Sequence, residues 1–159
     1  LVGYKNMEGE IVFEARFKDG GDFKNGLAYV RVMSKYGYIN AKGDLAIKPR
    51  FLDARTFSQK RAAVKVHVGK QGELWGFINT KGKMVIEPQF EEVSDFNEGL
   101  CAVMKDDKWG YINKKGKTII PFQFETAGDF GGGFVYVGLR LENGTLTELA
   151  LDKKGNIID

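Results

Sequence analysis

One short pattern constrains this chain more than anything else in it. Aromatic-Gly-aromatic-Ile-Asn occurs as Tyr36-Gly37-Tyr38-Ile39-Asn40, Trp75-Gly76-Phe77-Ile78-Asn79 and Trp109-Gly110-Tyr111-Ile112-Asn113. A worn copy opens the chain as Val2-Gly3-Tyr4-Lys5-Asn6, and a more degenerate one closes it as Leu149-Ala150-Leu151-Asp152. Three residues after each Asn or Asp stands a glycine: Gly9, Gly43, Gly82, Gly116 and Gly155. Phe17, Phe51, Phe90 and Phe124 follow the first four glycines by eight residues, and Phe23, Phe57, Phe96 and Phe130 come six later. Successive Asn or Asp positions are 34, 39, 34 and 39 residues apart. The extra residues of the long copies fall within Lys65–Leu74 and Gly138–Glu148. Such a chain is an array, because one unit of this size cannot bury its apolar face and must stack on its neighbours.

Each copy reads as three strands. The first is a small-and-apolar run ending in valine, such as Gly26-Leu27-Ala28-Tyr29-Val30 or Gly99-Leu100-Cys101-Ala102-Val103; its apolar and polar residues alternate with period two. The second is the aromatic-glycine motif. The third follows as Leu45-Ala46-Ile47, Met84-Val85-Ile86 or Thr118-Ile119-Ile120, closed by Pro49, Pro88 or Pro121, since proline gives no donor to a ladder. Asn-x-x-Gly links the second strand to the third, with asparagine bonding its own backbone and glycine accepting a positive φ. Between the first two strands the short copies leave Ser34-Lys35 and Asp106-Asp107, tight hairpins. The long copies insert Val68–Gly72 and Glu142-Asn143-Gly144-Thr145, where Asn-Gly predicts a type I′ turn. A connector such as Phe90–Phe96 ends the copy, its two phenylalanines plugging the seam between neighbours.

No apolar run keeps a helical period beyond one turn, so the chain is all-β. It reads as a single domain, 1–159, with a half-repeat at 1–13 and repeats at about 14–48, 49–87, 88–120 and 121–159. The expected architecture is an open, twisted or superhelical array of three-stranded antiparallel units. A closed propeller-like ring is the alternative, because blades carry about four strands in ~40–50 residues.

These residues resemble the WG-repeat family, also called KWG repeats. Its motif runs Trp-Gly-aromatic-Ile-Asn-x-x-Gly-x-x-hydrophobic-Ile-x-Pro-x-Phe, then Phe-x-x-Gly-hydrophobic-Ala-x-Val. Lys108–Asn113 match the signature and Trp75–Phe90 follow most of the rest. The first copy lacks the tryptophan and the proline, and the last loses the glycine and the aromatic, as expected of end caps. The resemblance implies a bacterial protein of tandem β-repeats, found in secreted, envelope or intracellular proteins. It implies no enzymatic activity and no fixed ligand.

Charge and rare residues narrow the chemistry. Lys+Arg is 24 against 21 Asp+Glu, a net +3, and the densest basic stretches are short: Lys60-Arg61 with Lys65, Lys114-Lys115-Lys117 and Lys153-Lys154. They read as solvated turns, and no nucleic-acid partner is expected. One cysteine and one histidine exclude an internal disulfide and a Cys/His zinc site, which needs about four ligands. Cys101 reads as a small buried hydrophobe. Asp22, Asp95 and Asp129 recur just before a phenylalanine, which points to connector hydrogen bonds rather than an active site. No catalytic residue, cofactor or metal is expected. No run of 18 apolar residues exists, so no helical membrane span is expected. The chain opens at Leu1, which reads as a processed protein or an excised fragment, with a removed signal peptide left open.

The function expected is a non-catalytic repeat scaffold binding another protein, with Lys65, His67, Lys70 and Arg140 on the long hairpins as contacts. The alternative is a carbohydrate or cell-wall binding module in which Tyr36, Trp75 and Trp109, one repeated position, stack on sugar rings.

Overall fold

The computed structural model describes residues 1–17 and 19–158, and of residues 12–16 the backbone alone. The described residues form five antiparallel sheets in chain order. The first pairs β1 (Val2–Lys5) with β2 (Ile11–Phe17). The second runs β3 (Asp19–Gly20), β4 (Ala28–Val32), β5 (Lys35–Ile39) and β6 (Leu45–Phe51). The third runs β7 (Asp53–Ala54), β8 (Ala62–His67), β9 (Glu73–Ile78) and β10 (Met84–Phe90). The fourth runs β11 (Glu92–Val93), β12 (Leu100–Lys105), β13 (Lys108–Asn113) and β14 (Thr118–Phe124). The fifth holds β15 (Thr126–Ala127), β16 (Phe134–Arg140) and β17 (Leu146–Asp152).

The three expected strands are therefore present in each complete copy. A short fourth, drawn from the connector, joins their outer edge (β3, β7, β11 and β15, two residues each). A single residue, Leu52, Glu91 or Glu125, carries the chain from the last strand of one sheet to the first of the next. Packing between sheets joins successive sheets, β5 to β7, β6 to β8, β9 to β11, β10 to β12, β13 to β15 and β14 to β16. The result is the open array, not the ring.

The third strand departs from expectation at its proline. β6, β10 and β14 do not stop at Pro49, Pro88 and Pro121 but continue to Phe51, Phe90 and Phe124. Tyr36 faces Phe51 and Tyr38 faces Ile47, so two steps on β5 oppose four on β6. This wide bulge takes the proline nitrogen out of the ladder, where its missing N–H costs nothing. The same bulge explains the glycine that recurs beside the aromatic. A methyl group on Gly37 would stand 2.5 Å from the Ile47 carbonyl oxygen and 2.7 Å from the Pro49 nitrogen. On Gly76 it would stand 2.6 Å from the Ile86 oxygen, and on Gly110 2.8 Å from the Ile120 oxygen. Leu149 can replace this glycine in the last copy because β17 has no third strand beside it.

Local hydrogen bonds fix the turns. Asn79 Oδ1 accepts from the backbone N–H of Lys81 and of Lys83, both at 3.0 Å, and Asn40, Asn113 and Asp152 do the same in their loops. The turns before the valine strands are of the I′ kind, with two left-handed residues each: Asn25-Gly26, Gln59-Lys60, Glu98-Gly99 and Gly132-Gly133. The hairpin at Asn143-Gly144 is not type I′. Only Gly144 has a positive φ, and Asn143 Oδ1 instead accepts from Thr145 N–H at 2.9 Å, which holds Asn143 on the right-handed side.

Between sheets the connector phenylalanines do plug the seams. Phe51 and Phe57 pack with Tyr38 and Ile78, Phe90 and Phe96 with Phe77 and Ile112, and Phe124 and Phe130 with Tyr111 and Leu151. Each interface repeats an edge-to-face ring pair: Tyr38–Phe57 at 5.0 Å, Phe77–Phe96 at 5.0 Å and Tyr111–Phe130 at 5.1 Å. Side chains also reach across: Asn25 Oδ1 accepts from Lys60 N–H at 2.9 Å, Gln59 Oε1 from Gly99 N–H at 2.8 Å and Glu98 Oε1 from Gly133 N–H at 2.8 Å. One turn thus caps the next along the array.

Candidate interaction surface

The long hairpins were the sequence's clearest departure from strict repetition, and the sheet register places them on one edge. Lys65 faces Trp75 and His67 faces Glu73 across β8 and β9. The loop between them is a 3-10 turn at Gly69–Gln71 that carries Lys70. In the fifth sheet Arg140 faces Leu146 beside the loop of Asn143-Gly144. The intervening fourth sheet turns tightly at Asp106-Asp107. Stacked sheets lie about 10 Å apart, so the two raised hairpins stand on the order of 20 Å apart across a lower one.

Of the four residues expected to meet a partner, two are already engaged. Lys65 Nζ lies 3.6 Å from Glu73 Oε2, and Arg140 Nε lies 3.3 Å from Glu125 Oε1. Lys108 Nζ joins the same carboxylate oxygen at 2.6 Å. These neighbours, the Lys108 hydrogen bond first, hold the Glu125 carboxyl below the usual range. His67 and Lys70 are exposed, and neither side chain makes a hydrogen bond or ion pair among the described residues. Glu125 was not singled out from the sequence. Its only signal there was its place directly after the connector phenylalanine, the one-residue crossing between sheets.

The repeated aromatic position does not form a row of exposed rings. Trp75 is 4% exposed and belongs to the interface between the third and fourth sheets. The Arg55 guanidinium lies 4.8 Å from its ring centroid and donates to Val93 O at 2.7 Å, in the next sheet. Tyr36 and Trp109 are half-buried against neighbouring clusters, and the Tyr36 hydroxyl donates to Asp19 at 3.2 Å. The exposed aromatics are instead Phe134 and Tyr136, an edge-to-face pair at 5.4 Å on the fifth sheet.

The groups that invite catalytic readings are engaged or dispersed. Asp129 Oδ1 accepts from the Ser94 hydroxyl, the connector role expected of it. The Cys101 thiol is buried, donates to Ser94 O at 3.2 Å and is pushed far up by burial. No cluster of three His, Cys, Asp or Glu side chains suited to a metal occurs among the described residues. Among the described residues no helix is long and apolar enough to cross a membrane.

The pattern defining the WG containing repeat matches four times, at residues 3–36, 36–67, 75–109 and 109–139. The chain belongs to this family. Each WG motif of this repeat protein is thus an aromatic at a sheet interface beside a glycine that admits the bulge of the next strand. Among solved structures the WG-repeat chain is similar to a TolB-type protein from Agrobacterium tumefaciens, with 8% identity and a TM-score of 0.49. That likeness covers 93% of this chain and 63% of the other, less than two thirds of its length. No curated protein matches the chain by sequence.

Proposed function

We propose that this WG-repeat chain is a non-catalytic scaffold that holds a partner protein along the edge formed by its long hairpins. The observation that supports the reading is the alternation of raised hairpins at Gly69–Gln71 and 141–145 with the tight turn at Asp106-Asp107. Insertions confined to one face of a stacked array commonly build its binding face. On that face His67 and Lys70 are exposed, while the pairs Lys65–Glu73 and Arg140–Glu125 brace the strands beneath them. Of the carboxylates that recur in the connectors, Asp129 serves the stack by accepting from the Ser94 hydroxyl.

Affinity capture from the source cell tests this. The variant His67→Glu with Lys70→Glu should recover a specific partner about tenfold less well than the native chain, with thermal unfolding unchanged. Equal recovery removes the hairpins from the account. The sugar-binding reading is supported by one observation, the exposed Phe134–Tyr136 pair. Retention of Tyr136→Ala on immobilised polysaccharide at the native level would exclude it.

A further inference from the structure

The opposite edge of the array is built from different elements, and its charges are not balanced. Ala62 faces Ile78, so the turn at 58–61 and the loop at 79–83 lie at the same end of the third sheet. Leu100 faces Asn113, which puts the turn at 97–99 and the loop at 113–117 at that end of the fourth. The two ends touch, for the Arg61 side chain donates from Nε to Lys114 O at 3.1 Å and from Nη1 to Lys60 O at 3.1 Å. Basic stretches scattered in sequence are thereby collected on one edge: Lys60, Lys81, Lys83, Lys114, Lys115 and Lys117, with Arg61 among them.

None of these six lysines is in an ion pair among the described residues, although Lys65, Lys108 and Arg140 toward the other edge all have carboxylate partners. The acidic residue within this group, Glu98, has its carboxylate on Gly133 N–H at 2.8 Å. Like charges gathered without counter-charge destabilise a fold unless something outside it supplies the opposite sign. Lys60 adds an independent sign. Its φ is 64°, at a turn position occupied by Gly26, Gly99 and Gly133 in the other copies. A side chain kept in a left-handed conformation that its equivalents leave to glycine is strain of the kind found at functional positions.

We propose that this edge binds an extended acidic peptide segment of a partner protein, laid across the loops of the third and fourth sheets. Successive loops follow the ~10 Å spacing of stacked sheets, and an extended chain covers that in about three residues at ~3.3 Å each. An acidic side chain at every third position meets one loop after another. The charges are lysines, which act as mobile point charges. The two guanidinium groups at this edge are tied to backbone carbonyls, Arg61 through Nε and Nη1 and Arg50 through Nη2 to Gly82 O, which leaves the lysines as the freely mobile charges. No large hydrophobic or aromatic residue between positions 46 and 133 is exposed, so this edge offers no ring for a nucleobase or sugar to stack on. The first loop, Asn6–Glu10, carries Glu8 and Glu10 in place of lysines. The acidic run of the peptide therefore lies toward the C-terminal sheets, away from that end.

Fluorescence anisotropy with a labelled twelve-residue polyglutamate tests this on the intact chain, beside oligothymidylate of equal length and soluble polygalacturonate. Polyglutamate should bind the most tightly, and its affinity should fall with added salt. Lys83→Glu with Lys115→Glu should weaken it by about tenfold or more, while the equal charge change Lys35→Glu with Lys105→Glu, at the hairpin ends of the second and fourth sheets, should stay within about threefold. Lys60→Gly should raise the unfolding temperature yet weaken binding about two- to threefold, a combination that damage to the fold does not produce. Equal losses from both double variants would mean a response to net charge alone and overturn the proposal. Tighter binding of oligothymidylate or polygalacturonate than of polyglutamate would also overturn it, as would absence of polyglutamate binding at low salt.

Discussion

The interface between the third and fourth sheets and the interfaces on either side of it meet the same demand with different atoms. Where the second sheet meets the third, the Tyr38 hydroxyl donates to Arg55 O at 2.7 Å. Where the fourth meets the fifth, Tyr111 donates to Gly128 O at 2.8 Å, seventeen residues on in both cases. The middle interface has Phe77 at this position and no hydroxyl. Its equivalent carbonyl, Ser94 O, takes the thiol of Cys101 at 3.2 Å. Elsewhere the Cys101 position is Ala28, Ala62 or Val135. What the repeat conserves here is a donor for a buried carbonyl, not a residue. A lone cysteine that looks like a neutral hydrophobe in the sequence is the substitute for a missing tyrosine hydroxyl.

The ring pairs should not show this difference. Phe57, Phe96 and Phe130 are all at most 4% exposed and sit edge-on to Tyr38, Phe77 and Tyr111 at nearly equal distances. Replacing any of them with alanine should cost ~3–5 kcal/mol in urea unfolding, since each leaves a ring-sized void. A Phe96→Ala cost below half that of the other two would show that the middle interface packs on a different basis.

Much of this architecture was legible because the repeat spacing names the positions that stack. The seam phenylalanines and the Asn-x-x-Gly loops follow from spacing alone, whereas spacing favours the open array without excluding the ring, which sheet packing decides. The path of the third strand did not. Proline ordinarily ends a strand, and only the paired register reveals the bulge that lets β6 pass Pro49 and that forces glycine at Gly37. The candidate surfaces were legible by halves. The long hairpins announce themselves as insertions, but Lys65 and Arg140 prove to be paired, and Glu125 carries no signal of its own. The basic edge was invisible for a topological reason. Lys60 and Lys115 are far apart in sequence, and only antiparallel pairing followed by stacking brings their turns to one end.

Transplanting the substitute tests whether the comparison is causal. Tyr38→Phe leaves the buried Arg55 carbonyl without its donor and should cost ~1–2 kcal/mol. Ala62 stands where Cys101 stands in the next copy, so Tyr38→Phe with Ala62→Cys should recover about half of that loss, the thiol being the weaker donor. A double variant no more stable than Tyr38→Phe would mean that the Cys101 contact is incidental.

The smallest expected effect separates the interfaces by pH. Burial raises the Cys101 thiol from its ordinary 9.0, so the folded chain keeps a proton that the unfolded chain releases above about pH 9. The stability from this group is therefore complete below that pH and declines as pH rises. The slope approaches ~1.4 kcal/mol per pH unit for one proton. Tyr38 and Tyr111 are raised by burial from 10.0, and their losses begin about one unit higher. Cys101→Ala removes the earlier slope and at neutral pH costs ~1 kcal/mol through the unmet Ser94 carbonyl. Urea midpoints of the native chain and the variant, measured from pH 7 to 10, should thus converge as pH rises. Parallel curves would mean that the thiol is not held protonated by the fold. Converging ones mark the middle interface as the first to yield in alkali, because its donor is sulfur where its neighbours use a phenol.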